Sequence, residues 1–200
     1  MSEILDRLYL SSVRYAKDPS FVKNTAITHI LIAAKSLTHY FPKIITYLQF
    51  PITDSPSTLI IAFFPEAIQF IESALQEKNN NVLVHCLGGR SRSVTIMTSY
   101  LMFKLKMNRE EALEFIKKKH TLAFPNAGFL AQLKLFEICL EKYFKENLIE
   151  EMKGINFEEN KDEEECKMDL NKIKPKEKKD LIFESLDLIV KRKIEKNYKK

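Results

Sequence analysis

The sequence predicts an α/β domain, a central, mostly parallel twisted sheet flanked by helices, followed by a charged C-terminal extension. Two observations carry this. Short β-rich runs are interleaved with segments of helical period, the pattern that folds as a parallel sheet with crossover helices. The last of these runs, residues 81–86 (NVLVHC), is largely apolar, as expected of a strand covered on both faces.

The runs at 7–12 (RLYLSS), 26–34 (AITHILIAA), 43–52 (KIITYLQFPI) and 81–86 are the expected strands. Between and after them lie the helices. Residues 65–79 open on Pro65, tolerated in a first turn, and place Ala67, Ile68, Ile71, Ala74 and Leu75 on one side. Residues 92–106 are apolar nearly all round, which predicts a helix buried in the domain. Residues 108–120 begin with Asn108 as N-cap and run from acids in the first turn to lysines in the last, matching the helix dipole. An amphipathic helix is expected over 128–148.

Two hundred residues, 45% of them hydrophobic, suffice for one compact domain and an appendage. We place the boundary at 148/149. Residues 1–148 hold 18 Lys+Arg against 13 Asp+Glu, and residues 149–200 hold 14 against 14, so the formal +5 sits on the domain. That excess suits an anionic partner, but it comes without the basic and aromatic array of a nucleic-acid binder, and no nucleic acid is expected. The segment after 149 is mostly charged and reads as a flexible or loosely helical tail. Helical spacing returns at 180–200 through Ile182, Leu186, Ile189 and Val190; this stretch fits docking on a protein partner or on the domain, and equally a frayed surface helix.

Cys86, Cys139 and Cys166 are far apart with no C-x-x-C, which indicates neither a disulfide framework nor a zinc cluster. No cofactor and no metal are expected. The N-terminus lacks a secretory pattern, Ser2 stands where N-myristoylation needs glycine, and no apolar run is long enough to span a bilayer. The expectation is a cytoplasmic protein, with KPKEKK and VKRK read either as nuclear signals or as solvated surface.

The chemistry concentrates in HCLGGRSRS, residues 85–93, between the last strand and the buried helix. A strand-to-helix turn of this kind gathers backbone N–H groups into one concavity with a helix dipole behind it, which makes an anion site. Gly88 and Gly89 allow the tight curvature, and Arg92 supplies a planar fork for two phosphate oxygens. A cysteine at the mouth of such a cradle is expected below the usual thiol pKa of about 8.5, a thiolate facing phosphorus. A P-loop NTPase is excluded because no Gly-Lys-Ser/Thr follows the glycines. His85 and Cys86 as joint metal ligands would point to opposite faces of the strand. A buried structural cysteine remains the plain reading of Cys86, but it leaves the glycines and the spaced arginine unexplained. Transfer of a phosphoryl group also needs an acid for the leaving oxygen. Asp54 is the one carboxylate between Asp18 and Glu66, in a loop suited to a mobile lid; an Asx-turn or helix-cap role is the alternative.

His85, Cys86, Arg92 and Ser93 match the H-C-x5-R-S loop of the protein tyrosine phosphatase superfamily, and the chain resembles its small atypical dual-specificity phosphatases over roughly residues 5–146. LYLSSVRYAKD resembles the family's opening strand and helix, ITHILIAA its second strand, FPEAIQFIESAL its pre-loop helix and FPNAGFLAQLKLFE its closing segment. The resemblance implies a three-layer fold and a metal-independent phosphatase acting on phosphotyrosine and phosphoserine/phosphothreonine in phosphoproteins. Cys86 would be the nucleophile, Arg92 would stabilise the transferred phosphoryl group, Asp54 would be the acid and then the base, and Ser93 would help the sulfur leave. Leu87, Gly88, Gly89, Arg90, Ser91 and Arg92 would bind phosphate. His85 would hold the cysteine backbone, and Asn126 would brace the loop.

Two departures stand out. Gly88 replaces a frequent alanine, and Arg90 occupies a variable position, either as a rim cation for acidic or multiply phosphorylated substrates or as a solvent-facing side chain. No tryptophan is present, so the Trp-Pro-Asp lid of larger tyrosine-specific relatives is missing and a shallow pocket is implied. Two other functions compete: a phosphoinositide or RNA 5′-triphosphate phosphatase, whose loops often carry lysines, and a catalytically weak phosphoprotein-binding module, which commonly lacks the cysteine or the arginine.

Overall fold

The computed structural model describes residues 1–153, 187–192 and 194–195, and the chain divides into two compact units, Met1–Glu137 and Ile138–Lys200. The first unit carries the sheet. Strands β1 (Ser2–Leu5), β2 (Leu8–Ser12), β3 (His29–Ala33), β4 (Thr46–Phe50) and β5 (Val82–Cys86) lie in the order β1-β2-β5-β3-β4. Within this sheet only β1 and β2 pair antiparallel. The mostly parallel sheet expected from the sequence is therefore present, and its central strand is the apolar run, buried at all five positions.

β1 was not among the expected strands, because four residues are too few for a period of two to show. It exists because the chain reverses at Asp6-Arg7, where Arg7 takes a left-handed φ of 62°. That conformation costs a non-glycine residue about 1–2 kcal/mol. The Arg7 guanidinium offsets it by donating to the carbonyls of Leu75 (3.0 Å), Glu77 (2.8 Å) and Asn80 (3.2 Å), which ties the turn to the segment just before β5.

The helices are α1 (Val13–Ala16), α2 (Pro19–Asn24), α3 (Phe64–Gln76), α4 (Arg92–Leu105), α5 (Arg109–Lys119) and α6 (Ala127–Lys153), with a 3-10 turn at Ile60–Phe63. α2 is only six residues long and shows no period, yet Asp18 caps it by accepting from the N–H groups of Ser20 and Phe21, with Pro19 at its first position. In α5 the expected Asn108 cap is a full capping box with Glu111.

Alternation divides the sheet into two faces. Ile30, Ile32 and Leu83 pack with Ala16, Val22 and Ile27 beneath α1 and α2. On the other side α4 lies against β2, β3 and β5, flanked by α3 and α5. It is buried from Ser93 to Met102 despite its hydroxyls, because Thr95, Thr98 and Ser99 donate back to the carbonyls of Ser91, Val94 and Ile96, each at 2.8 Å. A buried hydroxyl without a partner would cost about 1–3 kcal/mol. The self-satisfied hydroxyls let this helix occupy the centre and present its first turn to the end of β5.

In the second unit the rest of α6 buries Cys139, Leu140 and Tyr143. Of the helix expected at 180–200, residues 187–192 and 194–195 are described and helical, with Ile189 and Val190 buried. The charged stretch 154–186, with Cys166 and KPKEKK, lies outside the described residues. Among the described residues no helix is long and apolar enough to cross a membrane.

Candidate active site

β5 ends at Cys86 and α4 begins at Arg92, so the loop between them joins the carboxyl end of the central strand to the amino end of the central helix. The Cys86 sulfur is buried within this loop. It accepts from the Gly89 N–H (3.2 Å) and from the Ser93 hydroxyl (3.2 Å), one donor from the middle of the loop and one from the first turn of the helix. Gly89 has φ +67°, and a Cβ there would lie 2.8 Å from the backbone of Ser11 and Ser12, so neither the conformation nor the space admits a side chain.

Five carbonyls of the loop are held from outside it. Cys86 O takes the His85 ring (3.2 Å), Leu87 O the Val13 N–H (3.2 Å), and Gly89 O the His120 ring (2.8 Å). Arg90 O takes the Phe124 N–H (2.8 Å), and Ser91 O takes both the N–H and the hydroxyl of Thr95. In a trans peptide the N–H points opposite to its C=O. Turning these carbonyls outward therefore turns the N–H groups of Leu87, Gly88, Arg90, Ser91 and Arg92 inward. The result is a ring of amides around one sulfur, chemically suited to a tetrahedral oxyanion.

Two charged side chains meet above this ring. Arg92 donates through Nη1 to Ile52 O (3.4 Å), and its Nε lies 3.5 Å from Asp54 Oδ2. That Nε is buried and makes no hydrogen bond, a donor ready for an anion. Asp54 Oδ1 accepts from the Ser91 hydroxyl (2.7 Å) and the Asn126 side-chain amide (2.9 Å). These two bonds set the carboxylate over the loop rather than in an Asx-turn. Asn126 also donates its N–H to the Ser91 oxygen (3.2 Å) and caps α6 by accepting from the Phe129 N–H (3.0 Å). Asn126 thus braces the loop and Asp54 together.

His85 shares the face of Leu83, away from the loop's interior. Burial lowers its pKa from 6.5 to about 4, so the ring is neutral at pH 7, and Nδ1 must carry the proton because Cys86 O only accepts. The unfolded chain then takes up this proton before the folded one. The His85 contribution is fully present above pH 6.5 and is lost as the pH falls from 6.5 towards 4, about 3 kcal/mol in all. Urea unfolding between those pH values is expected to show a flatter acid limb in His85→Gln than in the wild type. Parallel limbs would contradict the burial of a neutral ring.

Sequence reasoning named Cys86, Arg92, Asp54, Ser93, Ser91, Asn126, His85 and the loop glycines, which converge here, and also Leu87 and Arg90, whose side chains are exposed and which face the ring through their backbone N–H groups. It missed His120 and Phe124, which hold the loop, and Gly128 and Gln132, which hold the segment after Asp54. Gln132 accepts from the Ile61 N–H (3.1 Å) and donates to Thr58 O (2.8 Å). At Gly128 a Cβ would lie 2.0 Å from Pro56 O. Gly128→Ala must therefore push the Asp54 loop away. We expect kcat on an aryl phosphate to fall by about tenfold to 10²-fold, the penalty of a displacement near 1 Å. The inhibition constant of inorganic phosphate, which reports the amide ring, should move far less; an unchanged kcat would show that the loop adapts without displacing the acid.

The comparisons with known proteins agree with this geometry. The family model described as "Dual specificity phosphatase, catalytic domain" matches residues 8–139. Dual specificity protein phosphatase 1B of Arabidopsis thaliana is 39% identical over 141 residues, covering 70% of this chain and 84% of its own. The crystal structure of DUSP15 superposes with a TM-score of 0.68 at 35% identity, over 75% of this chain and 95% of its own. That of the human tyrosine phosphatase-like serine/threonine/tyrosine-interacting protein gives 0.65 at 33%, over 69% and 95%. With the matching strand–loop–helix unit at its centre, the chain belongs to the dual specificity phosphatase catalytic-domain family and is a dual-specificity protein phosphatase.

Proposed function

We propose that this phosphatase hydrolyses phosphotyrosine and phosphoserine/phosphothreonine in proteins through a phosphoryl group carried on Cys86. The observation that carries the reading is the Cys86 sulfur, held by Gly89 N–H and Ser93 Oγ at the bottom of an amide ring, with the uncommitted Arg92 Nε and Asp54 Oδ2 above it. The ionised sulfur attacks phosphorus as the bond to the leaving oxygen breaks, and Asp54 transfers its proton to that oxygen. Oδ1 is held by two hydrogen bonds and Oδ2 faces Arg92 Nε at 3.5 Å, so the carboxyl group is fixed over the loop, on the side of the leaving oxygen. Asp54 then takes a proton from the attacking water, the S–P bond breaks, and the Ser93 hydroxyl receives the departing sulfur. Arg92 and the inward amides hold the three equatorial oxygens throughout.

Arg90 is exposed, its stem beside Gly88, and its guanidinium makes no ion pair with a described residue. This supports a preference for substrates carrying a second anionic group near the scissile phosphate. Similarity to a protein named as interacting favours a second reading, phosphoprotein recognition without turnover; the presence of both Cys86 and Arg92 in the loop favours catalysis. Labelled aryl phosphate, turned over in the presence of a chelator and quenched in acid, should leave a phosphoryl label on the Cys86 peptide. Absence of turnover would favour recognition, and chelator-sensitive turnover would point to another mechanism. A panel of phosphopeptides and phosphoinositides would then test substrate class.

A further inference from the structure

His120 is a titratable side chain that no catalytic step above uses, yet it touches the amide ring. It ends α5: its N–H donates to Ile116 O at 2.7 Å, its φ of −134° leaves the helix, and the ring turns back towards the sheet. There it is buried, with Nε2 2.8 Å from Gly89 O and Nδ1 3.0 Å from the Ser2 hydroxyl, which also lies 2.7 Å from Lys119 O. Gly89 O only accepts, so Nε2 carries a proton. Burial lowers the pKa of the ring, which leaves the neutral form at pH 7, its one proton on Nε2, while the Ser2 hydroxyl gives its own proton to Lys119 O.

The peptide this ring holds joins Arg90 to Gly89, a residue able to change backbone region. Gly89 alone sits at positive φ, and glycine crosses between backbone regions at little cost. The neighbouring carbonyls are fixed by backbone donors: Leu87 O by Val13, Arg90 O by Phe124, and Ser91 O by Thr95 within the helix. Only the Gly89–Arg90 peptide depends on a distant side chain for its orientation. Flipping it would aim a carbonyl oxygen at the bound oxyanion in place of an N–H.

We infer that His120 is a positioning residue for oxyanion binding: its ring N–H holds Gly89 O outward and thereby keeps the Arg90 N–H turned into the cradle. The inference rests on the phosphate-binding role proposed for the loop, but not on turnover. Its signature is a binding defect, because the sulfur keeps its donors and Asp54 keeps its partners.

Tungstate, a non-reacting tetrahedral oxyanion, tests this by calorimetry in the Cys86→Ser background, where no turnover is needed. His120→Leu is expected to weaken tungstate binding about three- to tenfold, the range spanned by one hydrogen bond. In the Cys86 enzyme it should raise KM for an aryl phosphate by the same factor while changing kcat less than about twofold. His120→Gln, whose amide N–H reaches as far as Nε2, should restore both. A leucine protein that melts earlier but binds tungstate as well as the parent would overturn the inference, as would failure of glutamine to rescue. If the leucine protein does not fold, glutamine and asparagine decide the matter: asparagine is one bond too short, and equal affinity in these two overturns the inference. Tungstate binding that follows this order in a protein without phosphatase activity would uphold His120 and sink the catalytic reading alone.

Discussion

Cys86→Ser is expected to lower turnover of an aryl phosphate by about 10⁴-fold or more, the scale on which loss of a covalent nucleophile falls. Serine keeps the shape of the site: its oxygen remains within reach of the Gly89 N–H and the Ser93 hydroxyl, and the outward carbonyls that form the ring do not involve the side chain at 86. What it removes is the proposed nucleophile, because an alcohol without an adjacent base attacks phosphorus far more slowly than an ionised sulfur. No histidine stands ready to activate it. His85 Nδ1 is committed to Cys86 O, and the His120 ring to Gly89 O. Binding and catalysis should therefore separate, with phosphopeptide affinity kept within a few fold while turnover disappears. Steady-state kinetics beside a fluorescence titration of a phosphotyrosine peptide measures both. Substantial residual turnover would mean that another residue attacks.

How much of this was legible beforehand follows from how local each feature is. The strand, the loop and the buried helix occupy twenty-four consecutive positions, Val82 to Leu105, so polarity, glycines and arginine spacing disclose them directly. Asp54 was found by elimination, as the one carboxylate in a long stretch. Other contributors act through backbone atoms at long range. His120 reaches Gly89 across 31 residues, and Gln132 reaches Thr58 across 74. Gly128 matters only because Pro56 passes against it. In the sequence a histidine after three lysines reads as a helix end, and a glycine at a helix start reads as an ordinary cap. β1 and α2 were missed for the opposite reason: they are short, and they exist through single anchors, the Arg7 guanidinium and the Asp18 cap.

The proposed acid, Asp54, offers the second large effect, and its size should depend on the substrate. Asp54→Asn preserves the volume and an oxygen able to accept from Ser91 and Asn126, so the loop should stay where it is. It removes the transferable proton. General acid catalysis contributes about 10²–10⁴-fold when the leaving oxygen is basic, and much less when it is not. The phenol of tyrosine, with a pKa of about 10, needs that proton, and the alkoxide of serine or threonine needs it more. Loss of kcat should accordingly be greatest on phosphoserine and phosphothreonine peptides, intermediate on phosphotyrosine peptides, and least on an aryl ester activated by electron-withdrawing groups. In a series of aryl phosphates, log kcat against leaving-group basicity should steepen in the variant. An equal loss across the series would mean that Asp54 acts elsewhere, in holding Arg92 or in activating the water. The hydrolysis of the phosphoryl-cysteine separates these: it has one leaving group, the sulfur, whatever the substrate, so a defect confined to that step would be uniform and would appear as a burst of released phenol.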